Sequence, residues 1–208
     1  MTEAFGSSLP QEGRPPGGNE DAFWIRPGEP SVIALADGAG AAQQAARKAL
    51  RQFEQLVSAA SASDIESFPA WSTWLRALDL GMSGGPSQST FVALAVLGDR
   101  LVGAAAGDSR AYLWTREGEL RVLTDGASKL RLGSGHIAPF PIHAPFARGD
   151  IVLLLTDGAW TPLTLDGLRT CVARVALGPL AELPEAVLRE ASRRGTGDDM
   201  TVVAARRR

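Results

Sequence analysis

The chain has 208 residues, 45% of them hydrophobic and 21% charged, a balance that suits a folded globular protein and excludes collagen, coiled-coil and disordered classes. Twenty-one basic against 23 acidic side chains give a net charge of −2, so no broad positive field exists to attract nucleic acid or an anionic membrane. Cys171 is the only cysteine, which rules out an internal disulfide and any cysteine-built metal centre.

This length and composition predict one domain over residues 1–208. The N-terminus lacks a basic region followed by an apolar stretch, and no run of about 18 apolar residues occurs, so a cytoplasmic protein that neither crosses nor binds a membrane is expected. Gly13 to Asn19 is rich in proline and glycine and reads as a loop after a short first strand. Ala22 to Ile25 and Ser31 to Ala36 read as strands that border acidic residues. From Ala41 the period changes: Ala42, Ala45, Ala46, Ala49, Leu50, Phe53, Leu56 and Val57 form the apolar stripe of a long helix. A second helix is predicted over Phe68 to Leu80, with Trp71 and Trp74 on a core or partner face.

Ser89 to Leu97, Leu101 to Ala106, Ala111 to Thr115 and Glu119 to Leu123 are short strands separated by turns, an antiparallel meander. Lys129 to Phe146 shows no sustained period and reads as an irregular surface segment. Ile151 to Thr156 is an apolar strand, Leu180 to Arg194 a helix, and Thr201 to Ala205 a closing strand. Arg206 to Arg208 reads as a solvated tail, and Cys171 and Met200 as packing residues. Helices in pairs around antiparallel strands predict an α+β layered sandwich.

The chemistry lies in carboxylates at strand ends, since a strand that buries its body delivers its terminal side chain to a fixed place. Four such places occur: Glu20-Asp21 before the second strand, Asp37-Gly38 after the third, Asp157-Gly158 after the late apolar strand, and Asp198-Asp199 before the last. Each Asp-Gly pair alone is an ordinary turn signal. Carboxylates converging in one cleft would repel one another unless a cation neutralised them, and an all-oxygen donor set selects Mg²⁺ or Mn²⁺ over zinc or copper.

These residues resemble the metal-dependent protein phosphatases, the type 2C serine/threonine phosphatases. The landmarks appear in family order over nearly the whole chain: Asn19-Glu20-Asp21-Ala22, Ala36-Asp37-Gly38-Ala39-Gly40-Ala41, Gln88-Ser89-Thr90-Phe91, Gly107-Asp108-Ser109-Arg110, Gly149-Asp150 with Thr156-Asp157-Gly158, and Asp198-Asp199-Met200-Thr201. The sporulation stage II E phosphatase branch shares the carboxylates, and the compact size and Asp-Asp-Met-Thr ending suit it equally.

The resemblance implies a four-layer αββα sandwich of two mainly antiparallel sheets flanked by helices, with two Mg²⁺ or Mn²⁺ ions at one end. Asp37 would bridge both ions, the Gly38 carbonyl would bind one, Asp157 and Asp198 would hold the other, and Glu20 and Asp21 would act through bound water. Ions about 3.5 to 4 Å apart would make a hydroxide nucleophile from a shared water, which would attack phosphorus in line. Asp108 would support a third, weaker ion with Asp157, or pair with Arg110 across its turn. The implied substrate is a phosphoserine or phosphothreonine protein, the target of a serine/threonine kinase. Where the family carries a phosphate-gripping arginine this chain has Pro16, and Arg14 is the nearest replacement. Gly126-Ala127-Ser128 stands for the family's Asp-His-Ser, which predicts a reduced flap and altered substrate choice.

Other readings are weaker. Gly38-x-Gly40 could open a dinucleotide site, but Gln43 stands where the third glycine belongs and Asp37 would repel a pyrophosphate. His136 and His143 could protonate a leaving alcohol but read as solvated loop residues. Ser134 lacks a nucleophile elbow. The competing functional class is a catalytically silent phosphatase-like domain that binds and regulates a phosphoprotein partner.

Overall fold

The computed structural model describes residues 1–15, 18–40 and 44–208. The expected Gly13-to-Asn19 loop falls partly outside them, and so does the start of the first helix, expected from Ala41. Twelve strands and six helices follow in order: β1 (Thr2–Leu9), β2 (Ala22–Arg26), β3 (Ser31–Ala36), β4 (Gly38–Gly40), α1 (Ala45–Ala59), α2 (Ala62–Ile65), α3 (Phe68–Met82), β5 (Ser87–Ser89), β6 (Phe91–Leu97), β7 (Arg100–Ala106), β8 (Arg110–Trp114), β9 (Leu120–Val122), β10 (Phe140–Pro145), β11 (Ile151–Leu155), α4 (Asp157–Trp160), α5 (Leu165–Val175), α6 (Glu182–Arg194) and β12 (Met200–Arg207). One five-stranded sheet runs β1-β12-β11-β8-β9 and the other β10-β7-β6-β3-β2, both antiparallel throughout.

Strand alternation builds three apolar layers. Ile33, Leu35, Val92 and Leu94 meet Leu113, Val152, Leu154 and Val203 between the two sheets. The opposite faces of the same strands, Ala34, Ala36, Ala93 and Ala104, receive α1 and α3. On the other side Ile151, Leu153, Leu155, Val202 and Ala204 receive α5 and α6. Strands buried on both faces explain why β3, β6 and β11 read as continuous apolar runs. Alanines on the α1 side leave room for Phe53, whose ring centroid lies 5.1 Å from Phe91, 5.7 Å from Trp71 and 6.3 Å from Trp74. The two tryptophans are thus core residues, as are Cys171 and Met200.

Two sequence readings are corrected. The segment 129–146 contains β10, whose alternation of buried Ile142 and Ala144 with exposed Pro141, His143 and Pro145 was hidden by the prolines. Among the described residues β10 pairs only with β7, and a sheet edge tolerates residues without an N–H. The C-terminal arginines are no solvated tail, because β12 runs to Arg207 against β1. Arg206 Nε donates to Glu3 Oε1 at 2.7 Å and its Nη1 donates to the carbonyls of Ala176 and Gly178. Among the described residues, no helix is long and apolar enough to cross a membrane.

Candidate metal centre

Sheet register gathers the acidic strand ends at one edge of the sandwich. Ala22 pairs with Ala36, which sets Asp21 beside Asp37 across the β2–β3 pair. Leu155 pairs with Arg110 on one side and Val202 on the other, which brings Asp157, Asp108 and Asp198 to the same end of the second sheet. Asp37, Asp108 and Asp157 each offer a carboxylate oxygen within 4.8 Å of the others.

The backbone around this trio is held closely. Asp37 N–H donates to Thr90 Oγ1, whose oxygen lies 2.6 Å from Ser109 Oγ, while the Asp37 carbonyl accepts from Ser89 Oγ and Thr90 N–H. This is the physical role of the Ser89-Thr90 element: it ties the metal-side end of β3 to the Asp108 turn. Thr156 Oγ1 donates to Asp21 Oδ2 at 2.8 Å and accepts from Thr201 N–H at 2.9 Å, linking the two sheets. Gly158 is required by space, since a Cβ there would lie 2.0 Å from the Asp199 carbonyl oxygen. Gly38 is similarly confined, with a Cβ position 2.8 Å from the Glu20 carbonyl oxygen, which accepts its N–H.

Electrostatically the site is frustrated without a cation. Burial pushes the Asp37 carboxyl up to about 9, with the negative charges of Asp21 and Asp157 adding and Arg131 opposing. Burial raises Asp21 to about 7 against hydrogen bonds from Thr156 and Thr201. Asp157 is raised by burial, then by Asp198 and Asp108. Asp108 Oδ1 is buried and, among the described residues, has no hydrogen-bond partner. An orphaned carboxylate oxygen beside two other carboxylates, with oxygen donors only, fits a hard divalent cation.

The remaining expected residues take other places around the trio. Asp198 borders Asp157, but its Oδ1 accepts the N–H of Asp199. Glu20 Oε2 lies 2.7 Å from Arg14 Nη1. Arg14 is further bound, through Nε to Gln11 Oε1 and through Nη1 to the Gly18 carbonyl, with Asp199 Oδ2 at 3.3 Å. Asp108 does not pair with Arg110: the Arg110 guanidinium stacks 3.5 Å from the Trp160 ring centroid, whose Nε1 donates to the Asp108 carbonyl. The ion pair that Asp108 makes among the described residues is with Arg131, Nη2 to Oδ1, at 3.6 Å.

Two contributors, Asp79 and Arg131, escaped sequence reasoning, and Asp199, which the strand-end pattern marks, has a role that the pattern did not foretell. Asp199 is 2% exposed and accepts the N–H of Gln11 and of Glu20, clasping the N-terminal loop. Asp79 on α3 holds the loop after Arg131. Neither Asp79 nor Arg131 stands beside a motif, so no local signal could have found them.

A family model described as Stage II sporulation protein E (SpoIIE) matches residues 27–208. The chain belongs to this family. Membership decides between the two branches that the motifs left open. No curated protein matches the chain. Among solved structures, the catalytic domain of the serine/threonine protein phosphatase PstP in complex with two manganese ions is 23% identical, with a TM-score of 0.80 over 99% of this chain and 97% of that one. PstP from Mycobacterium tuberculosis gives 23% and 0.77 over 99% and 98%. Stp1 from Staphylococcus aureus is 17% identical with a TM-score of 0.84, over 100% and 96%. The SpoIIE-family chain therefore has the fold of these phosphatases, the four-layer sandwich that the motifs imply.

Two clefts flank the carboxylates of this SpoIIE-family member. One, of about 160 Å³, lies between Asp108, Arg110, Asp125, Lys129 and Trp160. The other, of about 370 Å³, lies between Asp157, Thr161, Thr196 and Asp198.

Proposed function

We propose that this chain is a metal-dependent protein phosphatase that hydrolyses phosphoserine and phosphothreonine, acting in the cytoplasm as a single catalytic domain on targets of a serine/threonine kinase. The observation that carries the reading is the approach of Asp37, Asp108 and Asp157 within 4.8 Å at the sheet edge of a SpoIIE-family sandwich. A relative of this fold is described in complex with two manganese ions, which supports Mn²⁺ or Mg²⁺ as the cofactor here. When bound, the ions would supply the Lewis acidity that lowers the pKa of water and offsets phosphoryl charge.

In this reading Asp37, the Gly38 carbonyl, Asp157 and Asp198 hold the two ions, Asp108 with Asp157 holds a weaker third, and Glu20 and Asp21 orient water. Asp21 suits that task because Thr156 fixes one of its oxygens from across the sandwich. As a water oxygen bonds to phosphorus, the bond from phosphorus to the seryl oxygen breaks and the alcohol leaves with a proton. The chain needs no nucleophile of its own, in keeping with its lone buried cysteine. The clefts on either side of the carboxylates would take the peptide chain flanking the phosphorylated residue.

The test is hydrolysis of p-nitrophenyl phosphate and a phosphothreonine peptide with Mn²⁺, with Mg²⁺ and with EDTA, in wild type and Asp157→Asn. Metal-dependent turnover lost in the variant supports the enzyme. Absence of turnover together with absence of Mn²⁺ binding by calorimetry would leave the silent, phosphoprotein-binding domain.

A further inference from the structure

The phosphate-gripping cation that the sequence assigns to Arg14 has a better candidate elsewhere. Arg14 spends its Nε and Nη1 hydrogens on Gln11, Gly18 and Glu20, and with Asp199 close by it is already neutralised by two carboxylates. Arg131 stands in the opposite condition. Its guanidinium faces the carboxylate trio, with Nη2 3.6 Å from the buried, otherwise unpartnered Asp108 Oδ1. That distance is too long for a hydrogen bond, and among the described residues the Arg131 side chain donates none. It is 27% exposed, so its donors are reachable from solvent.

The backbone that carries Arg131 is fixed as firmly as the carboxylates themselves. Leu132 forms a two-way backbone bridge with Ser89, its N–H donating at 2.8 Å and its carbonyl accepting at 3.1 Å. Ser89 Oγ in turn donates to the Asp37 carbonyl. On the other side, the buried Asp79 carboxylate accepts the N–H groups of Gly133, Gly135 and Ile137. An arginine with five unused donors, on an anchored segment next to the metal carboxylates, is equipped to bind an oxyanion.

We propose that Arg131 binds the phosphoryl oxygens of the substrate, in place of Arg14, the nearest counterpart of the N-terminal arginine that the resemblance to type 2C phosphatases implies. The assignment rests on the phosphatase reading above. It makes the segment after β9, in place of the N-terminal loop, the part of the chain that grips phosphate. Asp108 then parks the guanidinium between turnovers without satisfying it.

The test is calorimetric titration of inorganic phosphate into the Mn²⁺-loaded protein, with Mn²⁺ binding measured separately on the metal-free protein. In Arg131→Gln the phosphate dissociation constant should rise about tenfold or more, as expected for loss of a charge-assisted, forked contact. Its Mn²⁺ affinity should stay equal or tighten, because a positive charge has left the carboxylates. Arg131→Lys should recover part of the phosphate affinity, since it keeps the charge without the planar fork. With a phosphothreonine peptide, KM should rise more than kcat falls.

A phosphate affinity within twofold of wild type in Arg131→Gln, in a protein that still binds Mn²⁺ and turns over, would overturn the assignment and leave Arg131 a counter-ion of Asp108. A loss of phosphate affinity in Arg14→Gln but not in Arg131→Gln would return the role to Arg14. A wild type that takes up no Mn²⁺ would instead defeat the phosphatase reading, and the assignment with it.

Discussion

Asp79, buried on α3, accepts the backbone N–H of Gly133 at 2.8 Å, and the same carboxylate also takes those of Gly135 and Ile137, at 2.9 and 3.1 Å. One side chain on a helix of the outer layer therefore fixes the loop that follows Arg131. A carboxylate that accepts three backbone donors does what a turn of regular structure would otherwise do for a segment with no ladder of its own.

Asp79→Asn should therefore destabilise the fold by about 3 kcal/mol, because the amide nitrogen would point a donor at an N–H and leave a buried amide unsatisfied. Urea unfolding measures the loss. Hydrogen exchange locates it, with protection falling at 133, 135 and 137 while β6 and β7 keep theirs. Unchanged protection at those amides would show that the loop is held by other means.

The layers were legible in the sequence because each rests on a local pattern. The stripe from Ala45 to Val57 and the apolar runs at Ser31 to Ala36 and Ile151 to Leu155 state their burial directly. The carboxylates were legible because a strand end marks a side chain's destination, and register then brings Asp21 beside Asp37 and Asp108 beside Asp157. What stayed hidden is nonlocal. Glu3 and Arg206 are 203 residues apart, Asp79 and Gly133 are 54 apart, and Asp199 reaches back 188 residues to Gln11. β10 was hidden for another reason, since its prolines are turn signals whose meaning reverses at a sheet edge.

Gly158 shows why the Asp-Gly pair is more than a turn. A methyl group there would press on the Asp199 carbonyl oxygen at 2.0 Å and on Asp198 Cβ at 3.2 Å, so one of the two acidic segments must move. Gly158→Ala should weaken Mn²⁺ binding at least about tenfold and lower stability by about 2 kcal/mol, within the range for overpacking a tight site. Calorimetry of Mn²⁺ and a thermal melt in EDTA separate the two effects. An unchanged Mn²⁺ affinity would mean that the segment at Asp198 can shift without cost to the centre.

Thr156 joins the sheets through its hydroxyl alone, donating to Asp21 and accepting from Thr201. Thr156→Val keeps the shape but strands the Thr201 N–H and removes a donor from a buried carboxylate, so a loss of about 1 to 3 kcal/mol is expected. Replacement by serine should restore most of it. The contrast between the valine and serine variants in urea unfolding isolates the hydroxyl from the methyl group.

The pH dependence of stability should reverse sign with metal. Without a cation, burial and the charges of neighbouring aspartates hold Asp21 at about 7 and Asp37 at about 9, both above the usual value of 3.8. Between about pH 4 and 9 the folded protein therefore binds more protons than the unfolded chain, and the stability these two groups contribute falls as pH rises through that window. Cations bind the deprotonated carboxylates, so their stabilisation grows over the same window. Melting temperatures taken from pH 5 to 9 should decline in EDTA, while the increment from added Mn²⁺ should widen steadily with pH. A metal-free melting temperature that rises from pH 5 to 9 would show that Asp21 and Asp37 ionise freely in the folded state, and that their crowding is relieved by something other than a bound cation.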